Sequence, residues 1–340
     1  MDENAYDVVV AGGGPAGLSA AVALTRSRRT VLVVDSGDPR NAPAAHVHNY
    51  LGREGTPPGD LLAAGRAEVA GYGGEIVAGT VTSAQRLDHD REDGARFRLV
   101  LADEERGLTD GGLTRGAPTR DVLARRLLVT TGLADELPDV PGVAERWGRD
   151  VLHCPYCHGW EVRDQVIAVL ASGPGAVHQA LLFRQLSEHV TVLLDTTPEP
   201  GGEVREQLDA RGIAVVEGAV AALEVTGDRL TGVRLRSGQV VSCQAVVVQP
   251  RFTARAGALS SLGLEPADLE MGGQVVGSYV PAGPAGDTAV PGVWVAGNVA
   301  DLKAQVISSA AAGLNAAAAI NTDLVEEDTR VAVAAHRALV

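Results

Sequence analysis

The residues best suited to chemistry in this chain are two cysteines that lie two residues apart, Cys154 and Cys157. They belong to the stretch His-Cys-Pro-Tyr-Cys-His-Gly-Trp over residues 153–160. At this spacing the two sulfurs can close a small disulfide, and a neighbouring charge can lower the pKa of one thiol so that it reacts as a thiolate. The stretch therefore predicts a redox-active dithiol, with His158 directly after the second cysteine.

The same letters occur in other kinds of site, which the rest of the chain disfavours. Cys-x-x-Cys-His also attaches c-type haem, but we expect no export segment, and Met271 is the only internal methionine to serve as an axial ligand. A structural zinc site needs two further strong ligands, and the third cysteine, Cys243, stands alone. Glutaredoxins carry Cys-Pro-Tyr-Cys early in a small unit, and a buried structural pair does not suit Pro, Tyr and His neighbours.

Composition and charge restrict the class of protein. With 340 residues, 45% of them hydrophobic, the chain is long enough for two domains. A formal net charge of −14 disfavours nucleic acid and anionic membranes as partners, because both would repel the chain. The sequence has no apolar run of membrane-spanning length, and its acidic amino terminus is not typical of a signal peptide. Three cysteines and no secretion signal predict a cytoplasmic protein with a working dithiol.

The first 35 residues match a dinucleotide-binding fingerprint. A strand, a glycine turn, a helix, a strand and an acid follow one another over Asp7–Ala11, Gly12–Gly17, Leu18–Arg28, Thr30–Val34 and Asp35. In this pattern Gly12 permits the turn, Gly14 lets the backbone approach a pyrophosphate, and Gly17 lets the helix pack on the strand. The phosphates bind unpaired N–H groups at the helix amino terminus, and Asp35 can accept a hydrogen bond from a ribose hydroxyl.

The next segments are typical of α/β elements and loops. Pro39–Gly59 is predicted to be a loop whose histidines, His46 and His48, are solvated or flank a cofactor rather than bind a metal. Residues 101–121 are polar and glycine-rich, which predicts a mobile surface loop. The other predicted elements are a helix over Asp60–Gly71 and strands over Gly74–Val81, Phe97–Leu101 and Arg125–Thr130.

The opening pattern repeats after the dithiol, which indicates a second dinucleotide-type unit. The repeat comprises Gln165–Leu170, residues 171–176, Val177–Leu186, Val190–Leu194 and Asp195. Ala171 replaces the first glycine, which predicts strain in the turn, and no basic residue follows the second strand before Arg205 to bind a 2′-phosphate. Asp195 can still hold a ribose diol, so the use of NADH stays open. Further strands are predicted over Ile213–Val225, Leu230–Leu235, Val240–Val248 and Gly292–Ala296, then a helix from Gln305 to about Asn321.

Taken together, these motifs resemble the low-molecular-weight thioredoxin reductases over nearly the whole chain. The resemblance is carried by the first glycine turn, Thr-Thr-Gly at 130–132, the dithiol, and Gly-Val-Trp-Val-Ala-Gly-Asn at 292–298. Within that superfamily, Cys-Pro-Tyr-Cys-His-Gly-Trp-Glu and the eroded second turn resemble the dithiol oxidases of the gliotoxin and holomycin type. Those enzymes form the intramolecular disulfide of a natural product and pass the electrons to oxygen.

The resemblance implies an α/β fold of two Rossmann-like domains and FAD as cofactor. Residues 1–136 and 251–340 would form a discontinuous FAD-binding domain, and residues 137–250 a degenerate NAD(P)-binding-like domain that carries the dithiol. The residues implied to bind or border FAD are Gly12, Gly14, Pro15, Ala16, Gly17, Asp35, Asn49, Thr131, Gly132, Gly297, Asn298, Gln305 and Val306. Asn298 stands where the family usually has Asp, and its amide oxygen can still accept a bond from the ribityl chain.

The resemblance also implies a route for the electrons. A substrate thiolate attacks Cys154, Cys157 leaves as a thiolate beside the flavin, and the second substrate thiol completes the product disulfide. His158 moves protons, and O2 takes the electrons from the flavin as H2O2. The implied partners are a small-molecule dithiol, O2 and a second copy of the chain in a homodimer. The residues predicted to border the substrate pocket are His46, His48, Tyr50 and Trp160.

Two other functions stay open at this point. The same fold run in the opposite direction would be an NAD(P)H-dependent thioredoxin or disulfide reductase, and a ferredoxin-fed variant would need a basic docking face. A resistance protein that sequesters a reactive dithiol without turnover belongs to a different class. Reduction of the flavin by a dithiol or by a nicotinamide separates the oxidase from the reductase, and a count of turnovers identifies the sequestering protein.

Overall fold

The computed structural model describes residues 4–87, 94–102, 108–109, 112–113 and 119–339. Most of the surface loop predicted over residues 101–121 lies outside these ranges. The first part of the chain contains β1 (Ala5–Ala11), α1 (Pro15–Arg26), β2 (Val31–Asp35), α2 (Pro58–Gly71), β3 (Glu75–Ala78), β4 (Thr80–Arg86), β5 (Phe97–Ala102), β6 (Leu108–Thr109), β7 (Gly112–Leu113), β8 (Thr119–Val129) and β9 (Leu133–Glu136).

The dithiol and the second dinucleotide-type unit follow. They contain α3 (Val143–Arg146), β10 (Val151–Leu152), α4 (Pro155–His158), β11 (Ile167–Leu170), α5 (Ala176–Phe183), β12 (Val190–Leu193), α6 (Gly202–Ala210), β13 (Ala214–Val216), β14 (Val220–Thr226), β15 (Arg229–Leu235), β16 (Val240–Ser242) and β17 (Ala245–Val247). The last part contains β18 (Arg251–Ala254), α7 (Gly257–Ser260), β19 (Ala267–Met271), β20 (Gln274–Tyr279), β21 (Val293–Val295), a 3-10 turn (Gly297–Val299) and α8 (Val306–Ala338).

The first glycine turn belongs to a sheet of seven strands, counted over the described ranges. The order is β3-β2-β1-β8-β5-β4, and β21 pairs with the carboxyl-terminal half of β8. Strands β3, β2, β1, β8 and β21 run parallel to one another, and β5 pairs antiparallel with both β8 and β4. Val8 and Val10 pack in the core that includes α1 and α8, and Val9 packs in the core on the opposite face. Burial on both faces explains the unbroken run of valines.

The second dinucleotide-type unit is built on a parallel sheet in the order β10-β17-β11-β12-β13. Phe183 of α5 and Leu208 of α6 are buried in the core on one face. The antiparallel sheet β14-β15-β16 covers the other face through residues such as Leu223 and Val233. Because β10 leads directly to the cysteine pair, this sheet positions the dithiol.

The chain passes between the two large sheets through β9 and β18. These strands pair antiparallel and join β20 and β19 in a four-stranded sheet. Strand β9 ends at Glu136 and β18 begins at Arg251. The division of the chain into residues 1–136 with 251–340 and residues 137–250 stays our proposal, and this pairing supports it.

The last helix is longer than the sequence predicts. It was expected to end near Asn321, but α8 continues to Ala338. The continuation is held by polar contacts: Arg29 Nε donates to Asn321 Oδ1 at 2.9 Å, and buried Arg126 of β8 pairs with Asp323 and with Glu327. An apolar periodicity therefore does not reveal where this helix ends.

Two predicted strands are interrupted. Gly218, with a φ of 117°, separates β13 from β14, so Ile213–Val225 is not one strand. Cys243 and Gln244 separate β16 from β17, so Val240–Val248 is divided as well.

Candidate active site

One cavity of about 1130 Å³ lies between the glycine turns and the cysteine pair. This volume exceeds the roughly 300–1,000 Å³ that is typical of a site for a single small ligand, so there is room for a dinucleotide and a second molecule. The predicted site residues in its wall are Gly12, Gly14, Pro15, Ala16, Asp35, His46, His48, Thr131, Gly132, Cys154, Cys157, His158, Gly297, Asn298, Gln305 and Val306. The predicted residues outside that wall are Gly17, Asn49, Tyr50 and Trp160.

The first glycine turn has the shape of a diphosphate cradle. Gly12 has a φ of 112°, and a Cβ there would lie 2.5 Å from the carbonyl oxygen of Thr130. A Cβ at Gly17 would overlap the carbonyl oxygen of Gly12, so close packing of α1 on β1 requires glycine there. A Cβ at Gly14 would meet no protein atom within 4 Å. The space beside Gly14 opens into the cavity at the start of α1, where backbone N–H groups favour an anion.

Asp35 lies at the end of β2 in the cavity wall. Its Oδ1 accepts a hydrogen bond from the Gly13 amide at 3.2 Å, and its Oδ2 pairs with Arg66 Nη2 at 2.8 Å. These contacts hold the carboxylate beside the glycine turn. Its predicted bond to a ribose hydroxyl stays a prediction.

The start of α8 forms another part of the wall. Gln305 is the N-cap residue of this 33-residue helix and Val306 is its first residue, with no side-chain cap. Nearby, Asn298 Nδ2 donates to the carbonyl oxygens of Asp301 at 3.0 Å and Ala304 at 2.9 Å. Its Oδ1 accepts from Arg40 at 3.3 Å, so this oxygen already has a protein donor.

The dithiol is present as a disulfide between Cys154 and Cys157, whose Cα atoms are 5.3 Å apart. Pro155 opens α4 between them, a position where its missing N–H costs nothing. Gly159 follows the turn, and the position requires glycine because a Cβ there would overlap Leu186 and the Pro155 carbonyl. Both cysteines are half-buried and line the cavity.

Two histidines flank the disulfide in the cavity wall. Burial lowers the pKa of His158, an effect that Glu161 opposes and His48 reinforces. Burial also lowers the pKa of His153, with Arg40 acting in the same direction and the Val248 carbonyl and Asp135 against it. Both rings are therefore predominantly neutral at pH 7, the state in which an imidazole can accept a proton.

The predicted loop of Pro39–Gly59 contacts the dithiol segment. His48 pairs through Nδ1 with Glu54 at 2.5 Å and through Nε2 with Glu161 at 3.3 Å. Asn49 has a φ of 60° and donates from Nδ2 to the Tyr156 carbonyl at 2.6 Å. Asn49 thus bonds to the dithiol segment, and its predicted place beside the cofactor stays a prediction.

The four residues predicted to border the substrate pocket lie in different surroundings. His46 and His48 line the cavity, with ring centroids 6.0 Å apart. Trp160 is 65% exposed, and Arg163 lies over its ring at 4.2 Å from the centroid. Because neither Tyr50 nor Trp160 lies in the cavity wall, the structure gives their predicted role no support.

The second glycine turn is used by the chain itself. Gln249 Oε1 accepts from the Gly175 amide at 2.8 Å, at the start of α5. Asp195 Oδ1 accepts from the Val220 amide at 2.7 Å. The prediction of strain at Ala171 was wrong, because its φ is not positive. Its amide donates to the Leu193 carbonyl at 2.9 Å, so the parallel ladder continues through this residue.

Sequence reasoning missed several residues in the cavity wall, among them Arg40, Gln179 and Gln249. Arg40 pairs with Asp135 through two bonds of 2.7 and 2.8 Å and lies over the Phe252 ring at 5.2 Å. Gln179 and Gln249 come from the second unit. Arg40 carried a signal as the first cation after Asp35, whereas the two glutamines resemble any other polar residue of a helix or strand end.

The comparisons with known proteins identify the family. A model of the family described as pyridine nucleotide-disulphide oxidoreductase matches residues 6–317, so the chain belongs to this family. Within the described ranges, no helix is both long and apolar enough to cross a membrane.

Individual relatives show where the chain belongs within this family. The chain is 30% identical over 329 residues to thioredoxin reductase sirT of Leptosphaeria maculans, and the match covers 93% of each protein. It is 32% identical over 272 residues to thioredoxin reductase tcpT of Claviceps purpurea, and that match covers 77% of this chain and 78% of tcpT. The crystal structure of HlmI matches with a TM-score of 0.85 at 45% identity, covering 100% of this chain and 99% of HlmI. An oxidoreductase from Agrobacterium tumefaciens matches with a TM-score of 0.81 at 32% identity, covering 94% and 98%.

These similarities confirm the predicted α/β fold and the resemblance to thioredoxin reductase-like dithiol oxidases of the gliotoxin and holomycin type. The protein is an oxidoreductase whose cofactor is FAD. The turn at Gly12–Gly17 fits that cofactor, because the space beside Gly14 faces the start of α1.

Proposed function

We propose that this protein is an FAD-dependent dithiol oxidase. It closes an intramolecular disulfide in a small natural product of the holomycin-like dithiolopyrrolone class and uses O2 as electron acceptor, giving H2O2. One observation carries the proposal: the disulfide and the first glycine turn share a cavity, while in the second unit Gln249 accepts from the Gly175 amide of the glycine turn and Asp195 accepts from the Val220 amide of β14. Electrons can then enter at the dithiol, whereas a nicotinamide dinucleotide would have to displace Gln249 from the Gly175 amide.

Each step of the proposed reaction uses particular residues of the chain. A substrate thiolate attacks Cys154, the Cys154–Cys157 bond breaks, and Cys157 leaves as a thiolate. The second substrate thiol attacks the sulfur bonded to Cys154, which releases the oxidised product. His158 accepts and returns protons beside Cys157. When bound, FAD supplies the acceptor for the electron pair of the reduced cysteines and the place where O2 is reduced.

The backbone at Gly12–Gly17 and the carboxylate of Asp35 hold the dinucleotide in this proposal. Thr131, Gly132, Gly297 and Asn298 border it further along the cavity. The amino terminus of α8, at Gln305 and Val306, would present the positive end of a helix dipole to the bound cofactor. These roles are proposals that follow from the residues' places in one wall.

The decisive experiment mixes the oxidised flavoprotein with one reductant at a time under anaerobic conditions and follows flavin absorbance. We expect bleaching by a small dithiol alone, negligible bleaching by NADPH or NADH, and H2O2 when air is admitted. Rapid bleaching by either nicotinamide would establish instead the reductase that the names of the fungal relatives suggest. Fewer than one peroxide per protein over prolonged incubation would indicate sequestration without turnover.

A matched pair of cysteine variants tests the route through the disulfide. Cys157→Ser removes one member of the pair, so we expect it to abolish bleaching by the dithiol. Cys243→Ser alters a buried cysteine in the core of the second unit, away from the cavity. We expect this control to bleach at the wild-type rate, and bleaching of Cys157→Ser at the wild-type rate would contradict the route.

We further propose that the enzyme is a cytoplasmic homodimer that serves antibiotic biosynthesis and self-resistance. Light scattering of the purified protein would show a mass of twice 35.0 kDa if the dimer is correct. Deletion in a producing organism would raise its sensitivity to the reduced dithiol if the resistance role is correct. A monomeric mass, or unchanged sensitivity, would refute the respective proposal.

A further inference from the structure

His153, the residue directly before the dithiol, has no role in the mechanism proposed above, although its surroundings suit acid–base chemistry. It follows β10, and its ring lines the cavity together with both cysteines. The ring stands edge-on to Phe252, with centroids 5.1 Å apart and an interplanar angle of 75°. This packing fixes the ring plane while one edge remains in the cavity wall.

The two ring nitrogens of His153 differ in their contacts. Nδ1 lies 3.1 Å from the Val248 carbonyl oxygen and 2.9 Å from Gln179 Nε2. Gln179 is held in turn by a bond of 3.1 Å from its Nε2 to the His153 carbonyl. Over the described parts of the chain, no residue forms a hydrogen bond with Nε2 of His153, so this nitrogen remains for a ligand.

The contacts at Nδ1 allow the ring to take up and release a proton. The Val248 carbonyl stabilises a proton on Nδ1, and the Gln179 amide stabilises a lone pair there, so both neutral tautomers have a partner. When Nε2 accepts a proton, the Nδ1–H group donates to Val248. Gln179 is 6% exposed, and its Oε1 has no hydrogen-bond partner among the described residues, so the amide has little freedom to turn away from the ring.

We propose that His153 is a second acid–base residue of the reaction beside His158, and that it serves the thiol that attacks Cys154 and then Cys154 itself; this rests on the function proposed above. The first substrate thiol gives its proton to Nε2 of His153, and its sulfur bonds to Cys154 as the cysteine disulfide breaks. The second substrate thiol gives its proton to His158 and bonds to the first substrate sulfur. Cys154 then leaves with the electron pair of the mixed disulfide and takes the proton from His153.

The atoms and electrons of this sequence balance. The substrate loses two electrons and two protons, and the cysteine pair gains the two electrons. One proton ends on Cys154 and the other on His158, with Cys157 as a thiolate. The oxidant is the disulfide that the structure contains. The charged groups that act on His153 are Arg40 and Asp135, and they have opposite effects on its pKa.

The test measures thiol–disulfide exchange without oxygen. Oxidised holoenzyme is mixed anaerobically with dithiothreitol, quenched with maleimide, and the newly alkylated cysteines are counted by mass spectrometry from pH 6 to 10. For His153→Gln we expect a loss of roughly 100-fold at pH 6.5, the order of magnitude of general-base catalysis. The deficit should shrink towards pH 10, because a thiol with an ordinary pKa of about 8.5 ionises there without a base. Added imidazole should restore part of the rate at pH 6.5.

Controls separate this role from packing. His189→Gln replaces an exposed histidine beside β12, outside the cavity wall, and should exchange at the wild-type rate at every pH. A deficit of His153→Gln that is equal at all pH values and unaffected by imidazole would overturn the proposal. If that variant does not fold, Gln179→Leu serves instead. Loss of its N–H should raise the pKa seen in the rate profile, and an unshifted profile would overturn the proposal as well.

The outcome is independent of the proposed oxidase activity. Exchange at the cysteine pair needs neither O2 nor a nicotinamide, so His153 can pass this test even if the flavin is reduced by NADH. Conversely, the wild-type protein could produce H2O2 from a dithiol while His153→Gln exchanges as fast as wild type at pH 6.5. The proposed oxidase activity would then stand, and His153 would have no part in its mechanism.

Discussion

Replacing Gly14 with valine tests whether the first glycine turn holds the cofactor diphosphate. Gly14 has φ −78° and ψ −173°, an extended conformation that any residue adopts. A Cβ at this position meets no protein atom within 4 Å, so the side chain should not strain the FAD-free protein. It would instead occupy the space at the start of α1 where the diphosphate is expected.

The size of the effect follows from the amino terminus of α1. This helix begins at Pro15 and has no side-chain cap, so its first amides are without a side-chain partner. A hydrogen bond to a charged group is worth about 1.5–3 kcal/mol, and more when several are lost. Loss of one such bond should raise the Kd for FAD by about 10- to 150-fold.

The assay is a titration of FAD-free protein, followed by flavin fluorescence, with circular dichroism to confirm folding. Gly59→Val is the matched control, because Gly59 lies in the first turn of α2, its Cβ would also meet no atom within 4 Å, and it is not part of the cavity wall. We expect this control to bind FAD as wild type does. A folded Gly14→Val protein whose Kd lies within about twofold of wild type would refute the cradle.

Three further predictions concern stability and accessibility. Burial opposes ionisation of Glu327, but its bonds with Arg126 and the charges of neighbouring arginines lower its pKa below the ordinary 4.5. The ionised carboxylate therefore stabilises the folded state above pH 4.5, and this stabilisation is lost as the pH falls through the lowered pKa. Glu327→Gln should therefore lower the free energy of unfolding by about 3 kcal/mol at pH 7 and by progressively less in acid, as measured by urea unfolding; a loss that does not shrink at any acidic pH would contradict the ion pair. Asn49→Ala should cost about 1 kcal/mol locally and speed amide exchange in residues 46–56, because its 2.6 Å bond to Tyr156 is lost; unchanged exchange would contradict that link. Burial raises the pKa of Cys243 to about 12, so iodoacetamide at pH 8 should label it only after unfolding.

The sequence predicts the parts of the fold that depend on local patterns. The valine run at Val8–Val10 and the spacing of Gly12, Gly14 and Gly17 specify a strand, a turn and a helix within one short segment, so no distant contact is needed to recognise them. The cysteine pair is equally local. These features were sufficient for the α/β class, and together with the short motifs at residues 130–132 and 292–298 they were sufficient for the family.

The sequence does not reveal partners that are far apart in the chain. Gln249 reaches Gly175 across 74 positions, and Arg126 reaches Glu327 across 201. A glutamine at the end of a strand has no distinguishing pattern, and a charged helix without an apolar stripe resembles a loop. The Gln249–Gly175 contact and the end of α8 therefore became evident only when the three-dimensional arrangement was known.

The contacts at the second turn also bear on the direction of electron flow. A nicotinamide dinucleotide that used the amide of Gly175 would first have to displace Gln249. At about 1 kcal/mol for this hydrogen bond, the displacement would weaken binding by roughly fivefold relative to a turn with a free amide. The dithiol incurs no such cost, because Cys154 and Cys157 already line the cavity beside the first turn. This difference in binding cost favours a thiol substrate over a nicotinamide as the source of electrons. A measured Kd for NADH in the low micromolar range would contradict that preference.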